Sequence, residues 1–397
     1  MIFKKVNFIT LYISVYFILY ILPFPFYRIP TIYENTIVWF GKTILGLDFI
    51  RQVTTGSGDT IFDYVEIVLL LLMTFLVSII ILFFNESIRN KIIIFSITYS
   101  RYFLVFMLFT YGFYKFGSGQ FPTPSLFRLE QKVGDMSPMG MLFVFMGSSK
   151  MYAVFSAVCQ LISGFMLLYK RTVVLGALLA FGVMLNISVL NFSYDVPLKL
   201  LSTHLALISL FIIHKNFKAI FVFFSGYPSQ ITFYTLNFKS KQLKIILKTL
   251  ILSYILYLTL ISSLFRIFSS KQSATKEIDG IYSLELAPIV KDSLYSDFKW
   301  KKIIIDIGYA KIYSETDTLW YSDVILDKDK KTILFKAYDT TLTDVKVNFE
   351  FDIDNKLELI EIGGYKKRIG KFNKTTNTDY ELIKHNFNWT NEFPYNK

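Results

Sequence analysis

The chain contains very little cysteine and histidine, the side chains that build most redox and metal centres. Its 397 residues include one cysteine, Cys159, and three histidines. A single thiol excludes an intrachain disulfide, a CxxC redox pair and a cysteine-bound metal. The HExxH, HxxxH, GxGxxG, P-loop and GxSxG patterns are also missing. Metal, haem or nucleotide binding and serine-hydrolase chemistry therefore have no motif in this sequence.

Acidic residues are scarce in the first 270 positions, which carry 22 Lys and Arg against 9 Asp and Glu. Residues 271–397 are balanced, with 20 basic and 21 acidic residues. Basic residues placed between membrane helices orient those helices, and no basic face with interleaved aromatics follows them. The net charge of +12 therefore predicts no nucleic-acid partner. The expected partners are the lipid bilayer and an envelope protein.

Apolar residues dominate the first two thirds of the chain. The composition is 53% hydrophobic with a mean hydropathy of +0.45, which is too apolar for an ordinary soluble domain. Crossing about 30 Å of hydrocarbon takes roughly 20 residues in a helix. The sequence predicts an α-helical polytopic membrane protein with about seven transmembrane helices. The runs are 6–27, 62–84, 92–116, 151–169, 172–193, 196–213 and 245–268.

Positive charge near the ends of these runs predicts their orientation. With an odd number of spans, Lys4, Lys5, Lys170 and Arg171 all fall on one side, which the positive-inside rule makes cytoplasmic. This predicts a multi-pass protein of the cell inner membrane, with a cytoplasmic N-terminus and an extracytoplasmic tail. The stretch 217–224 is too short to cross alone and is typical of an interfacial segment. If it did cross, the tail would lie on the other side.

The tail after residue 270 has a different pattern, in which short apolar runs alternate with period two. Such alternation indicates antiparallel strands with one buried face. The sequence predicts a C-terminal all-β meander sheet or small barrel, including a strand at 379–384 and a closing strand within 385–397. Aromatics such as Trp300, Trp320 and Trp389 could line a ligand cup or form the core.

The segment 111–135 is the best candidate for a site, because it ends an apolar run with glycines, prolines and charges. Polar groups beside hydrocarbon are costly unless they meet partners, water or a ligand. The alternative for Lys115 is a side chain that snorkels to the membrane interface. The predicted mouth of a pocket at the outer face consists of Lys115, Gln120, Arg128, Glu130 and Asp135.

A second group of polar residues follows in the fifth and sixth runs: Asn186, Asn191, Asp195, Lys199 and His204. Asp195 and Lys199 are four apart, so at a helix that starts near Pro197 they can face each other. The alternative for this pair is a helix cap with a paired charge. The asparagines also fit a structural role as hydrogen-bonding groups between helices. His204 suits a buried, hydrogen-bonded position, and equally a proton relay or a haem ligand.

Residues 97–214 resemble the DoxX-like family of four-helix membrane proteins. Tyr99-Ser-Arg101 and Tyr111-Gly-Phe-Tyr-Lys115-Phe116 are similar to its first helix, and residues 160–171, from Gln160 to Arg171, to its second helix and basic turn. The longer arrangement resembles the large DoxX-like proteins of Bacteroidetes-type bacteria. The resulting domains are a membrane hairpin with an extracytoplasmic loop (1–96), the core (97–214), a basic cytoplasmic segment with the last span (215–270) and an extracytoplasmic β domain (271–397).

The resemblance implies a quinone-linked redox or envelope-stress component, with a diffusible quinone as the candidate cofactor. If the chain is catalytic, it would be part of a membrane oxidoreductase. The alternative function is a non-enzymatic membrane anchor that displays the β domain for binding. A transporter is a third hypothesis, which lacks the paired broken helices typical of that class.

Overall fold

The computed structural model describes residues 7–22, 31–49, 58–116, 119–231, 277–286, 300–314, 318–337, 344–351, 357–362, 366–376 and 379–384, and single helical positions between 242 and 257. The chain forms two compact units. The helical unit comprises Met1–Gln120 and Met151–Phe265, and the barrel unit comprises Phe121–Lys150 and Arg266–Lys397.

The helical unit contains most of the long apolar helices. Its helices are α1 (Phe8–Ile21), α2 (Thr31–Thr43), α3 (Ile61–Leu82), α4 (Glu86–Phe116), α7 (Lys150–Leu168), α8 (Val173–Ser193), α9 (Lys199–Ile213) and α10 (Phe217–Phe224). The barrel unit contributes α5 (Leu126–Leu129), α6 (Pro138–Ser148) and α11 (Glu381–Lys384).

Five helical segments of the described chain are long and apolar enough to cross a membrane: Ile61–Leu82, Glu86–Phe116, Lys150–Leu168, Val173–Ser193 and Lys199–Phe224. The last of these joins α9 to α10 through a 3-10 turn at His214–Asn216, so the stretch predicted to be interfacial continues a candidate span. The first predicted span contains a helix of 14 residues, Phe8–Ile21. The seventh, 245–268, lies almost entirely outside the described residues, and the count of seven stays a prediction.

Local sequence signals set the ends of these helices. Thr60 and Asp63 form a reciprocal capping box at the start of α3, which satisfies backbone N–H groups that have no partner within the helix. At the end of α8, Asp195 adopts a left-handed φ of 52°. The N–H of Val196 then donates to the carbonyl of Asn191 at 2.9 Å, as in a helix terminus closed by a left-handed residue.

Helices α4 and α7 approach each other closely because glycine faces the contact. A Cβ atom on Gly112 would lie 2.8 Å from the side chain of Leu161, and one on Gly164 would lie 2.5 Å from Phe109. Small residues that let two helix backbones approach are typical of helix pairs in membranes. The core around them is made of apolar side chains from α1, α4, α7, α8 and α9.

The described residues of the tail form an antiparallel meander of eight strands that closes into a barrel. Each strand pairs with the next, and β8 pairs back with β1, with Ile281 opposite Thr375. The predicted all-β meander is thereby confirmed. The strands are β1 (Gly280–Leu286), β2 (Lys302–Asp306), β3 (Tyr309–Tyr313), β4 (Thr318–Asp327), β5 (Thr332–Ala337), β6 (Val345–Phe351), β7 (Leu357–Ile362) and β8 (Lys366–Thr375).

Large side chains fill the inside of the barrel. Tyr282, Phe335 and Phe372 are fully buried there, and Trp300 packs edge-on against Phe335 at 6.0 Å. Trp300 is thus a core aromatic, which was the alternative to a ligand cup, whereas Trp320 is 45% exposed. Trp389 lies outside the described residues.

The strand predicted at 379–384 is wrong, because Glu381–Lys384 is a short helix. The barrel is closed by β8 and β1, so it needs no further strand from residues 385–397, which lie outside the described part of the chain. The Thr376 N–H donates to the Asp379 carboxylate at 2.6 Å, and this local turn directs the chain into the helix instead of a ninth strand.

The segment between α4 and α7 belongs to the barrel unit, although the sequence grouped it with the helical core. Its helix α5 packs Leu126 against Ile281 and Ile304, and the Leu126 N–H donates to the carboxylate of Asp306 at 2.7 Å. Phe127 contacts Trp320 with ring centroids 5.5 Å apart. The outer face of β1–β4 therefore holds this segment by both apolar and polar contacts.

Candidate functional site

Lys115 is a buried cation in the last turn of α4. It is 5% exposed, and its Nζ donates to Oε1 of Gln160, itself 2% exposed, at 2.6 Å. Within the part of the chain that the structure describes, Gln160 is its only hydrogen-bond partner, and no carboxylate pairs with it. An ammonium group carries three donors, so two N–H groups of Lys115 have no partner among the described residues. The alternative of a lysine that snorkels into water does not fit this burial.

The close approach at Gly112 explains why Lys115 reaches Gln160. Gly112 lies three residues before Lys115 on α4, so both are on the same face of the helix, and Gly112 contacts Leu161 beside Gln160. Farther along the same pair of helices, Arg101 Nε donates to the carbonyl of Leu167 at 2.5 Å. A cation at this position also interacts favourably with the C-terminal end of α7.

His204 is buried between α9 and α1. Its Nδ1 is 2.7 Å from the carbonyl of Leu200, which can only accept, so Nδ1 carries the proton. Its Nε2 then accepts from the hydroxyl of Tyr16 at 2.7 Å, and the ring of Tyr20 stacks on the imidazole at 4.1 Å. Both ring nitrogens of a neutral imidazole are used, which leaves no lone pair for a haem iron.

The two asparagines of α8 have different positions. Asn191 is buried, and its Nδ2 donates to the carbonyl of Leu198 at 3.1 Å and to Oγ of Ser202 at 3.0 Å. It therefore connects α8 to α9, which is the structural role that the sequence left open. Asn186 is exposed on the outer surface of α8, away from this connection.

Asp195 and Lys199 form an ion pair with Nζ and Oδ1 2.5 Å apart. The pair forms across the start of α9, because Asp195 follows the end of α8 and Lys199 begins α9. The N-terminus of α9 is instead capped by Asp59, whose carboxylate accepts from the N–H groups of Lys199 at 2.7 Å and Leu200 at 2.9 Å. These charges stabilise the turn between α8 and α9.

The five residues of the predicted mouth are divided between the two units. Lys115 and Gln120 belong to the helical unit, where Oε1 of Gln120 is buried without a partner among the described residues. Arg128 donates to Gln131 at 2.9 Å, and Gln131 donates to the backbone carbonyl of Asp135 at 2.7 Å. The side chain of Asp135 is exposed. The Arg128–Gln131 and Gln131–Asp135 hydrogen bonds therefore organise a surface loop.

Glu130 belongs to a polar cluster on the outside of the barrel. Its carboxylate contacts the ammonium of Lys302 and accepts from the hydroxyl of Tyr380. Nearby, burial raises the pKa of the Asp306 carboxyl above its usual value, although the hydrogen bond from Leu126 partly opposes this shift. The cluster fixes residues 126–130 to the barrel wall, and it uses Glu130 as a structural anchor.

Sequence reasoning missed several partners: Tyr16, Tyr20, Asp59, Lys302, Asp306 and Tyr380. The residues around a tyrosine in an apolar run, or around a charge in a strand, do not indicate which distant residue it will contact. These partners could therefore not be predicted from the sequence. Gln160 was recognisable as an intramembrane polar residue, and so was Glu66, which hydrogen-bonds to Tyr33 in the structure.

Apolar helices of spanning length, with buried polar pairs between them and an antiparallel β unit attached, define a helical membrane protein with a barrel domain. No family model matches the chain, and no solved structure matches it. A segment of 126 residues, 30% of the chain, is 32% identical to the uncharacterized protein YwoB of Bacillus subtilis (strain 168) and covers 79% of that protein. The chain belongs to the family of YwoB.

Proposed function

We propose that the helical unit binds the head group of a lipophilic quinone beside Lys115, and that the chain is a DoxX-like component of a membrane oxidoreductase. The observation that carries this proposal is the buried ammonium of Lys115, whose one partner among the described residues is the neutral amide of Gln160. A charge held in an apolar surrounding needs further acceptors. The carbonyl oxygens of a quinone are acceptors that also suit a lipid-soluble molecule.

The residues around Lys115 fit such a group. Leu161 provides apolar contact surface at Gly112, three residues before Lys115 on the same helix, and Gln160 orients the ammonium. A bound quinone supplies two-electron redox chemistry. Lys115 would donate to a carbonyl oxygen and stabilise negative charge that develops on it, because an ammonium is a strong hydrogen-bond donor in a medium of low polarity.

His204 has a positioning role in this proposal. Its hydrogen bond from Tyr16 joins α9 to α1, and its bond to Leu200 within α9 fixes the orientation of the neutral imidazole. The two sequence motifs that resemble the DoxX-like family meet at the Lys115–Gln160 contact, which further supports assigning the activity to this pair. With the predicted orientation, the pair lies toward the outer face of the inner membrane.

The test is the amount of quinone that copurifies with, or rebinds to, the full chain in nanodiscs. We expect Lys115→Met to lose most bound quinone, and His204→Leu to weaken binding less. Lys91→Met is the matched control, because Lys91 is an exposed lysine on the same helix, and it should bind like the wild type. Wild-type binding by Lys115→Met would contradict the proposal.

The second candidate function is a non-enzymatic anchor that displays the barrel. It is favoured by the barrel unit, whose packed interior leaves its outer wall as the surface for recognition. Deleting residues 271–397 would also remove the packing partners of residues 121–150, so point substitutions separate the two functions more cleanly. An anchor predicts that Lys115→Met retains the full cellular phenotype of the wild type.

A further inference from the structure

The outer surface of β3 and β4 exposes an unusual number of large apolar side chains. Tyr309 is 51% exposed, Trp320 45% and Ile325 44%, and Ile307, at the tip of the β2–β3 hairpin, is 57% exposed. Lys311 lies between the aromatic residues, with its ammonium 4.6 Å from the ring of Trp320. We call this surface, formed by Ile307, Tyr309, Lys311, Trp320 and Ile325, the β3–β4 face.

The register places these side chains on one side of the sheet. Lys311 pairs directly with Trp320, and Tyr309 lies two residues before Lys311 on the same strand, so all three point outward while Ala310 and Ile312 point into the core. At the hairpin tip, the N–H of Val324 donates to the carbonyl of Gly308 at 2.8 Å. This bond keeps the tip against β4.

Ile307 is an improbable residue for its position. Its φ is 52°, a left-handed conformation that asparagine and glycine adopt readily and that β-branched residues rarely adopt. An isoleucine that is both strained and exposed gives the barrel nothing that asparagine would not give at lower cost. A strained apolar side chain at an exposed tip points to a role outside the barrel itself.

The chain connects this face to the membrane spans. Phe127 packs on Trp320, and the segment that carries Phe127 follows the candidate span Glu86–Phe116 and leads directly into the candidate span Lys150–Leu168. Tryptophan, tyrosine and lysine are also the residues that concentrate where a protein meets lipid head groups. We propose that the β3–β4 face lies in the head-group layer of a lipid bilayer, with Ile307 as its most deeply placed side chain.

The full chain, reconstituted in nanodiscs of phosphatidylcholine and phosphatidylglycerol, provides the test. In a Cys159→Ser background, a spin label is attached at Ile307→Cys and, in a separate variant, at Tyr309→Cys, which lies on regular strand backbone. The matched control is Glu350→Cys, an exposed position on β6, three strands away from β3. Collision rates with oxygen and with a water-soluble nickel chelate are then compared.

We expect oxygen to be favoured over the nickel chelate at 307 and 309 and the reverse at 350, with the largest ratio at 307. Equal ratios at all three positions would place the face in water and overturn the proposal. Protection of 307 and 309 from both reagents would show that protein covers the face, which also overturns it. The proposed quinone site is not involved, so this result is independent of quinone binding.

Discussion

The Lys115–Gln160 contact can be tested by removing its two members separately and together. Gln160→Leu leaves a buried ammonium without a described partner, and Lys115→Met leaves a buried amide without its donor. The double variant removes both polar groups and keeps similar side-chain volumes. Because the residues touch, their effects on the free energy of unfolding should not add.

The expected sizes follow from burial. Leaving one partner of a buried charged contact alone costs about 3–5 kcal/mol, whereas an unsatisfied buried amide costs about 1–3 kcal/mol. We therefore expect Gln160→Leu to be the more destabilising single variant. Replacing a buried charged pair by apolar groups is often neutral or stabilising by about 1–4 kcal/mol, so the double variant should be at least as stable as the wild type.

The assay is denaturant unfolding of the full chain in mixed micelles, followed by far-UV circular dichroism. Lys91→Met serves as the control and should lie within about 0.5 kcal/mol of the wild type, because it changes an exposed side chain. Added quinone should stabilise the wild type and leave the double variant unchanged, since a ligand stabilises only the state that binds it.

Two results would refute this reasoning. If Lys115→Met costs more than Gln160→Leu, the lysine contributes by packing and not as a buried charge. If the double variant loses the sum of the two single losses, the two side chains are energetically independent despite their 2.6 Å contact.

Two further predictions concern carboxylates that the sequence did not single out. Asp306→Asn should raise the free energy of unfolding of the barrel at pH 7 by up to about 1–2 kcal/mol. The reason is that an asparagine side chain still accepts the hydrogen bond from the N–H of Leu126 but carries no charge that must be buried. Burial raises the pKa of Asp306, so the wild type regains this stability as the pH falls through that pKa. The difference in unfolding free energy between the two proteins, followed by Trp300 fluorescence, should therefore shrink as the pH is lowered, and a difference that stays constant would contradict the prediction. Asp59→Ala should lower the free energy of unfolding by about 1–2 kcal/mol, because it removes the carboxylate that caps the N-terminus of α9. The control is Asp48→Ala, which changes an exposed aspartate between α2 and α3. Equal stability of the two variants would refute the prediction.

Period-two alternation was sufficient to predict the β meander, because every described strand buries one face in the barrel. It failed at residues 379–384, where a polar turn at Asp379 overrides the alternation and produces a helix. Hydropathy identified the long apolar helices, since a span must be apolar along its whole length. It treated residues 217–224 as separate because a sequence pattern does not show that a 3-10 turn continues the preceding helix.

The candidate site was only partly accessible to the same reasoning. Lys115 could be chosen because a charge beside an apolar run is costly wherever it lies. Its partner could not be identified in the same way, because Gln160 is 45 residues away. Gln160 reaches Lys115 only through the close approach of α4 and α7 at Gly112. The predicted mouth also assumed that neighbours in sequence stay together, whereas the structure assigns Glu130 to the barrel.

The helical, apolar regions and the sheet region of this protein can be located from the amino-acid order, because periodicity and hydropathy are local properties of the chain. The identity of the polar groups that meet depends on how the elements pack. Lys115 with Gln160, His204 with Tyr16 and Leu126 with Asp306 depend on contacts between distant segments, and the need to satisfy each buried polar group selects those contacts only once the helices and strands have packed.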